Sequence, residues 1–145
     1  MQLTPSITRR IVFHTGHMLK DDVSKCHNPH GHEYVLDVSV SGPLQQEGAE
    51  AGMVMHFGTL KALMIDKVSD TLDHKFIVQK SDPRCDDLIS SMGDGKGLVI
   101  VDFAPTAENL LGWCVQRLRP HIQHPYHISK VRLQETLNCW AEIEY

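Results

Sequence analysis

From residue 30 to residue 41 the chain changes character at every second position. His30, His32, Tyr34, Leu36, Val38 and Val40 share one parity, and Glu33, Asp37, Ser39 and Ser41 take the other. Side chains on a strand point alternately to its two faces, so the pattern specifies a half-buried strand. Its packed face begins with two imidazoles. Two nitrogen donors on one face are half of a tetrahedral zinc site. A third donor from elsewhere would leave the fourth position open to water or substrate. His17 lies upstream, and the thiol of Cys26 stands four positions before His30. The combination reads as a catalytic metal with a cysteine beside it.

The rest of the chain supplies a scaffold for such a strand. Ser6 to His14 favours a first strand, and Thr15 to Pro29 reads as a loop. Gly42-Pro43 ends the alternating strand. After Gly58-Thr59, the residues Leu60, Leu63, Met64, Val68 and Leu72 recur at helical spacing up to Asp73. Ser81 to Lys96 reads as loop with one short helical turn at Asp87 to Met92, and Leu98 to Phe103 as a strand. A second helix starts at the N-cap Thr106, with Glu108 in its first turn, where negative charge suits the helix dipole. Its stripe is Ala107, Leu110, Leu111, Cys114, Val115 and Leu118, and Pro120 stops it. Val131, Leu133 and Glu135 share one strand face, and Cys139, Ala141, Ile143 and Tyr145 alternate in a last strand. The expected class is α+β, with two helices on one face of an antiparallel sheet.

At 145 residues the chain fits one domain, residues 1–145, with an adequate core. A net charge of −4 gives no nucleic-acid footprint. Arg9, Arg10, Lys20 and Lys25 fit either a local anion site or ordinary solvated charge. No apolar run approaches the roughly 20 residues that span a bilayer, and Met1 to Pro5 lacks the charged-then-apolar order of a secretory signal. The four cysteines are scattered, with no Cys-x-x-Cys pair. Free thiols in a cytoplasmic protein are the expectation. Cys85, Cys114 and Cys139 read as inert buried thiols.

Five blocks occur in order: Phe13-His14-Thr15-Gly16-His17, Cys26 to His32, Leu72-Asp73-His74, Pro105-Thr106-Ala107-Glu108-Asn109, and Glu135-Thr136. Together they resemble the 6-pyruvoyl-tetrahydropterin synthase / 6-carboxytetrahydropterin synthase family over nearly the whole chain. The resemblance implies the tunnelling fold (T-fold), a ββααββ subunit whose sheets join those of other copies into a barrel. It implies a homohexamer built as a dimer of trimers, with active sites where subunits meet. Covering sheet edges by ring closure is physically reasonable for such a subunit. Three residues separate Cys26 from His30, which resembles the 6-carboxytetrahydropterin branch; the pyruvoyl branch carries a longer insertion there. A folate-related branch places a glutamate where this chain has His27.

The reaction so implied converts 7,8-dihydroneopterin triphosphate to 6-carboxy-5,6,7,8-tetrahydropterin, releasing acetaldehyde and triphosphate, on the route to 7-deazaguanine nucleosides such as queuosine. By the same likeness, His17, His30 and His32 hold one Zn2+, Cys26 is the general base, and Asp73 with His74 forms a second proton-transfer pair. Glu135 grips the pterin. Adjacent residues cannot simply face each other, so a relay through Asp73 and His74 depends on backbone geometry. Thr106 and Glu108 either support the helix start or touch substrate.

Each residue also has an ordinary reading. The histidines fit hydrogen-bonded core residues, Asp73-His74 a helix C-cap, and Glu135 an exposed strand position. His14, His27, His56, His121, His124 and His127 are read as non-ligands. Two departures stand out. His56 occupies the usual aspartate position before the first helix, which questions its capping, and Phe76-Ile77-Val78 replaces the usual aromatic and asparagine after Asp-His. The competing functions are 6-pyruvoyl-tetrahydropterin synthesis and a non-catalytic zinc- or pterin-binding oligomer.

Overall fold

The computed structural model describes residues 4–145. Met1 to Leu3, the start of the segment read for a secretory signal, lie outside the described residues. Among the described residues there are six strands: β1 (Ser6–His17), β2 (His30–Ser41), β3 (Lys75–Gln79), β4 (Leu98–Val101), β5 (His127–Thr136) and β6 (Cys139–Glu144). They form one sheet in the order β4-β3-β1-β2-β5-β6. The long antiparallel ladder of β1 and β2 pairs Ser6 with Ser41 at one end and His17 with His30 at the other. β5 and β6 extend it antiparallel, as expected.

On the other side of β1 the sheet differs from the all-antiparallel expectation. β3 runs parallel to β1, and β4 parallel to β3. β3 went unread because its apolar residues, Phe76-Ile77-Val78, are continuous rather than alternating. That is how a strand covered on both faces looks. The same pairing carries β1 three residues beyond His14, so the segment from Thr15 to His17 is strand rather than loop. Gly16 makes this possible: a Cβ there would sit 2.7 Å from the Phe76 ring.

The helices are α1 (Phe57–Met64), continued through a π-helical stretch (Ile65–Ser69) into a last turn, α2 (Asp70–Leu72), then α3 (Cys85–Ser91) and α4 (Ala107–Leu118). Leu60, Met64, Val68 and Leu72 are all buried. A strict four-residue repeat drifts about 40° per step on a helix of 3.6 residues per turn, and the wider π turn takes up that drift. His56 still caps α1, its Nδ1 accepting from the Gly58 N–H at 3.0 Å. Thr106 caps α4 as expected, accepting from Asn109 N at 3.2 Å.

The stripes of α1 and α4 cover the inward face of the sheet. Ile11, Phe13, Leu36, Val38, Val131 and Leu133 meet Leu60, Leu110, Cys114 and Leu118 in one core. Phe13 and Tyr34 stack at its centre, ring centroids 5.6 Å apart. A smaller cluster joins Met18, Val78 and Cys85 behind β3. Among the described residues no helix is long and apolar enough to cross a membrane.

Candidate metal centre and active site

The inward parity of β1 and β2 delivers three imidazoles to one end of the core. His17 closes β1 opposite His30, and His32 follows two residues on. The ring centroids of His17 lie 4.6 Å from His30 and 5.1 Å from His32, and those of His30 and His32 are 5.0 Å apart. One donor atom from each lies within 4.8 Å of the others, and these three could hold a metal ion.

Backbone carbonyls aim two of the rings. His17 Nδ1 lies 2.7 Å from the Pro105 carbonyl, and His30 Nδ1 lies 2.7 Å from that of Asn28. A carbonyl only accepts, so each Nδ1 carries the proton and each Nε2 presents a lone pair. His17 Nε2 and His32 Nε2 are buried with no hydrogen-bond partner. Orphaned buried nitrogens are costly unless something binds them. Burial pushes the pKa of both His17 and His32 down, which keeps the rings neutral, as metal ligands must be. Three imidazole nitrogen donors and an open side fit a zinc ion.

Glu135 reaches the same place by a local irregularity. The β5–β6 ladder pairs Gln134 with Trp140 and Thr136 with Cys139, so the register shifts at Glu135. Such bulges re-aim side chains next to active sites. Its Oε1 lies 3.5 Å from His32 Nε2, and its side chain is 23% exposed. Beneath it, burial and then the Glu135 charge push the Tyr34 phenol well above its ordinary range, so it stays protonated.

His17, Cys26, His30 and Glu135 line one cavity of about 210 Å³ with Thr106, Glu108, Cys139 and Trp140. Thr106 therefore both caps α4 and faces the cavity. Cys139 is exposed, not buried, because the tight β5–β6 turn leaves the first residue of β6 without a covering layer. Cys85 and Cys114 are buried as expected. Trp140, whose ring lies 4.0 Å beneath the Arg132 guanidinium, is a cavity residue that no motif indicated. Arg9, Arg10, Lys20 and Lys25 stay outside the cavity lining, and Arg10 instead pairs with Asp37 at 2.7 Å.

The Asp73–His74 pair is not brought into this cavity. His74 instead lines a second, open pocket with His14 and Glu33, which have the outward parity of β1 and β2, and with one edge of His32. The two side chains do meet, His74 Nδ1 lying 2.9 Å from Asp73 Oδ2. Neighbours can face each other here because His74 has φ +59°, the left-handed region. The corner is clamped to β1: His14 N donates to Asp73 Oδ1 at 2.8 Å, and His74 N to the His14 carbonyl at 2.7 Å. The His14 N–H, followed by His74 and His14 themselves, holds the Asp73 carboxyl below its usual range.

The sequence model of the family described as 6-pyruvoyl tetrahydropterin synthase matches residues 6–145. The chain belongs to that family. It is 32% identical to the 6-carboxy-5,6,7,8-tetrahydropterin synthase of Haemophilus influenzae, covering 95% of this chain and 97% of that one. It is also 32% identical to the 6-pyruvoyl tetrahydrobiopterin synthase of Dictyostelium discoideum, over 95% of this chain and 94% of the other. Among solved structures, an uncharacterized protein from Wolinella succinogenes superposes with a TM-score of 0.80 at 24% identity, covering 98% of both chains. The 6-pyruvoyl tetrahydropterin synthase of Caenorhabditis elegans gives 0.69 at 24% identity, over 99% and 97%. The fold is the T-fold of this synthase family.

Proposed function

We propose that this family member is a zinc-dependent 6-carboxy-5,6,7,8-tetrahydropterin synthase. It converts 7,8-dihydroneopterin triphosphate and water to 6-carboxytetrahydropterin, acetaldehyde and triphosphate, on a route to 7-deazaguanine nucleosides such as queuosine. The observation that carries the reading is that Cys26 lines one cavity with His17, His30 and Glu135. The short Cys26-to-His30 spacing and the 6-carboxytetrahydropterin relatives favour the carboxy product.

When bound, zinc supplies Lewis acidity to the oxygens of the substrate side chain. The chain's residues do the rest. Cys26 takes a proton from that side chain. Glu135 accepts the paired N–H donors of the pterin's 2-amino-pyrimidinone edge, a charge-assisted and geometrically selective contact. Asp73 fixes the His74 ring through Nδ1, leaving Nε2 to exchange a proton. Since that pair faces away from its own chain's cavity, it serves the cavity of an adjacent copy in a cytoplasmic homohexamer. The strands β4 and β6 end the sheet with Ile100, Trp140 and Ile143 exposed. Pairing with other copies would cover those edges.

The D. discoideum relative favours a second reading, 6-pyruvoyl-tetrahydropterin synthesis. Zinc-loaded protein incubated with 7,8-dihydroneopterin triphosphate, with products followed by mass spectrometry, separates the two. The proposal expects 6-carboxytetrahydropterin with one acetaldehyde per turnover. A pyruvoyl product without acetaldehyde selects the second reading, and binding without turnover leaves a pterin-binding oligomer.

A further inference from the structure

The turn that carries Cys26 has little of its own to hold it. Lys25–His27 buries no side chain, and its hydrogen bonds are short-range. Ser24 Oγ accepts from Cys26 N at 3.2 Å, Leu19 N donates to the Cys26 carbonyl at 3.1 Å, and His27 Nδ1 meets the Leu19 carbonyl at 3.1 Å. These bonds close the loop on itself without fastening it to the sheet. An exposed contact from Lys20 Nζ to Ser81 Oγ, 2.9 Å, is a weak tether at its edge.

The firm attachment comes from Arg84, which is 57 positions away and donates from Nη1 to the His27 carbonyl at 2.6 Å. Two more of its donors go to Asp82, Nε to Oδ1 at 3.0 Å and Nη2 to Oδ2 at 2.9 Å. The Arg84 backbone N–H adds a bond to Asp82 Oδ1 at 2.9 Å. The Asp82 carboxylate is wholly buried, 0% exposed. Burial pushes its pKa up, but the Arg84 contacts outweigh this and hold it below its usual range. A buried, ionised carboxylate thus locks a planar fork whose Nη1 points at the residue next to Cys26.

We propose that Arg84, anchored by Asp82, is a positioning residue for Cys26: it fixes the His27 carbonyl and so the place of the thiol at the metal cavity. The inference rests on Cys26 acting as the base. Lysine cannot replace it, since one ammonium lacks the fork needed to grip both carboxylate oxygens and the carbonyl together. A thiol displaced by about 1 Å loses roughly 10²-fold in rate.

The test uses the zinc-loaded protein with Arg84→Ala, Arg84→Lys and the double variant Asp82→Ala/Arg84→Ala. Removing Arg84 alone strands a buried carboxylate and endangers folding, whereas the double variant removes both charges and restores thermal stability. Positioning predicts that kcat falls about 10²-fold in both the Arg84→Ala and the double variant, with KM and zinc content held. Arg84→Lys recovers only part of the loss. Site-resolved iodoacetamide labelling of the free enzyme, read by peptide mass spectrometry, should show Cys26 reacting several-fold faster relative to Cys139. Full kcat in the double variant, or an unchanged Cys26 labelling rate in all three, overturns the proposal. Cys26→Ala keeps the two ideas apart. If it is inactive while the Arg84 variants turn over normally, the clamp alone fails. If it retains activity, the base assignment fails and labelling still reports whether the clamp holds the loop.

Discussion

Replacing His74 by glycine and by alanine separates backbone strain from chemistry at the Asp73–His74 corner. The residue holds φ +59°, a conformation that costs a residue with a Cβ about 1–2 kcal/mol and costs glycine nothing comparable. Against this, glycine is the freer residue in the unfolded chain, worth about 0.4–1 kcal/mol relative to alanine. The lost ring weighs little in the comparison, because both variants lack it and its side chain is 80% exposed. The balance favours His74→Gly over His74→Ala by about 0.8 kcal/mol at mid-range and by at most about 1.6 kcal/mol, or roughly 2–5 °C in Tm for a chain of this size. Neither variant can exchange a proton at Nε2, so acetaldehyde release should fall at least about 10²-fold in both. Calorimetric melts paired with steady-state product assays read the two effects separately. A more stable alanine variant refutes the strain argument. Turnover within about twofold of the parent in either variant refutes the role of the ring.

Two further outcomes follow from the same geometry. His56→Asp places a better cap, with a charge suited to the helix N-terminus, where the imidazole now accepts from Gly58 N; calorimetry should show a gain of about 0.5 kcal/mol, and a loss contradicts the capping role. In the metal-free protein, burial lowers the pKa of His17 and His32 below the ordinary value near about 6.5. Their contribution to stability is therefore complete above about pH 6.5 and is lost as pH falls through the lowered folded values. Urea unfolding between about pH 7.5 and 4.5 should show that decline, and bound zinc should delay it; constant stability over this range contradicts it.

The inward half of the site was legible because it obeys a period. His30 and His32 share the parity of Tyr34 and Leu36, and the packing of that strand leaves the rings nowhere else to go. Thr106 was legible because N-cap chemistry is local. The parts that were not legible depend on partners far along the chain. Thr15 to His17 looks like loop until β3 pairs with it, and β3 itself shows no alternation because both its faces are covered. Glu135 has the right parity, but the register shift that turns it toward His32 arises between strands. Nothing about Asp73-His74 announces a left-handed histidine, since the conformation is imposed by two bonds to His14. Arg84 could not be connected with Cys26 at all, as 57 residues separate Arg84 from His27.

Metal content of purified protein tests the central claim most directly. Protein produced in zinc-replete medium is desalted and assayed by inductively coupled plasma mass spectrometry as the parent, Cys26→Ala and His30→Ala. Three convergent imidazoles predict about one zinc per chain in the parent and in Cys26→Ala, with the metal lost from a folded His30→Ala. Stoichiometric zinc in His30→Ala, or none in the parent, contradicts the account.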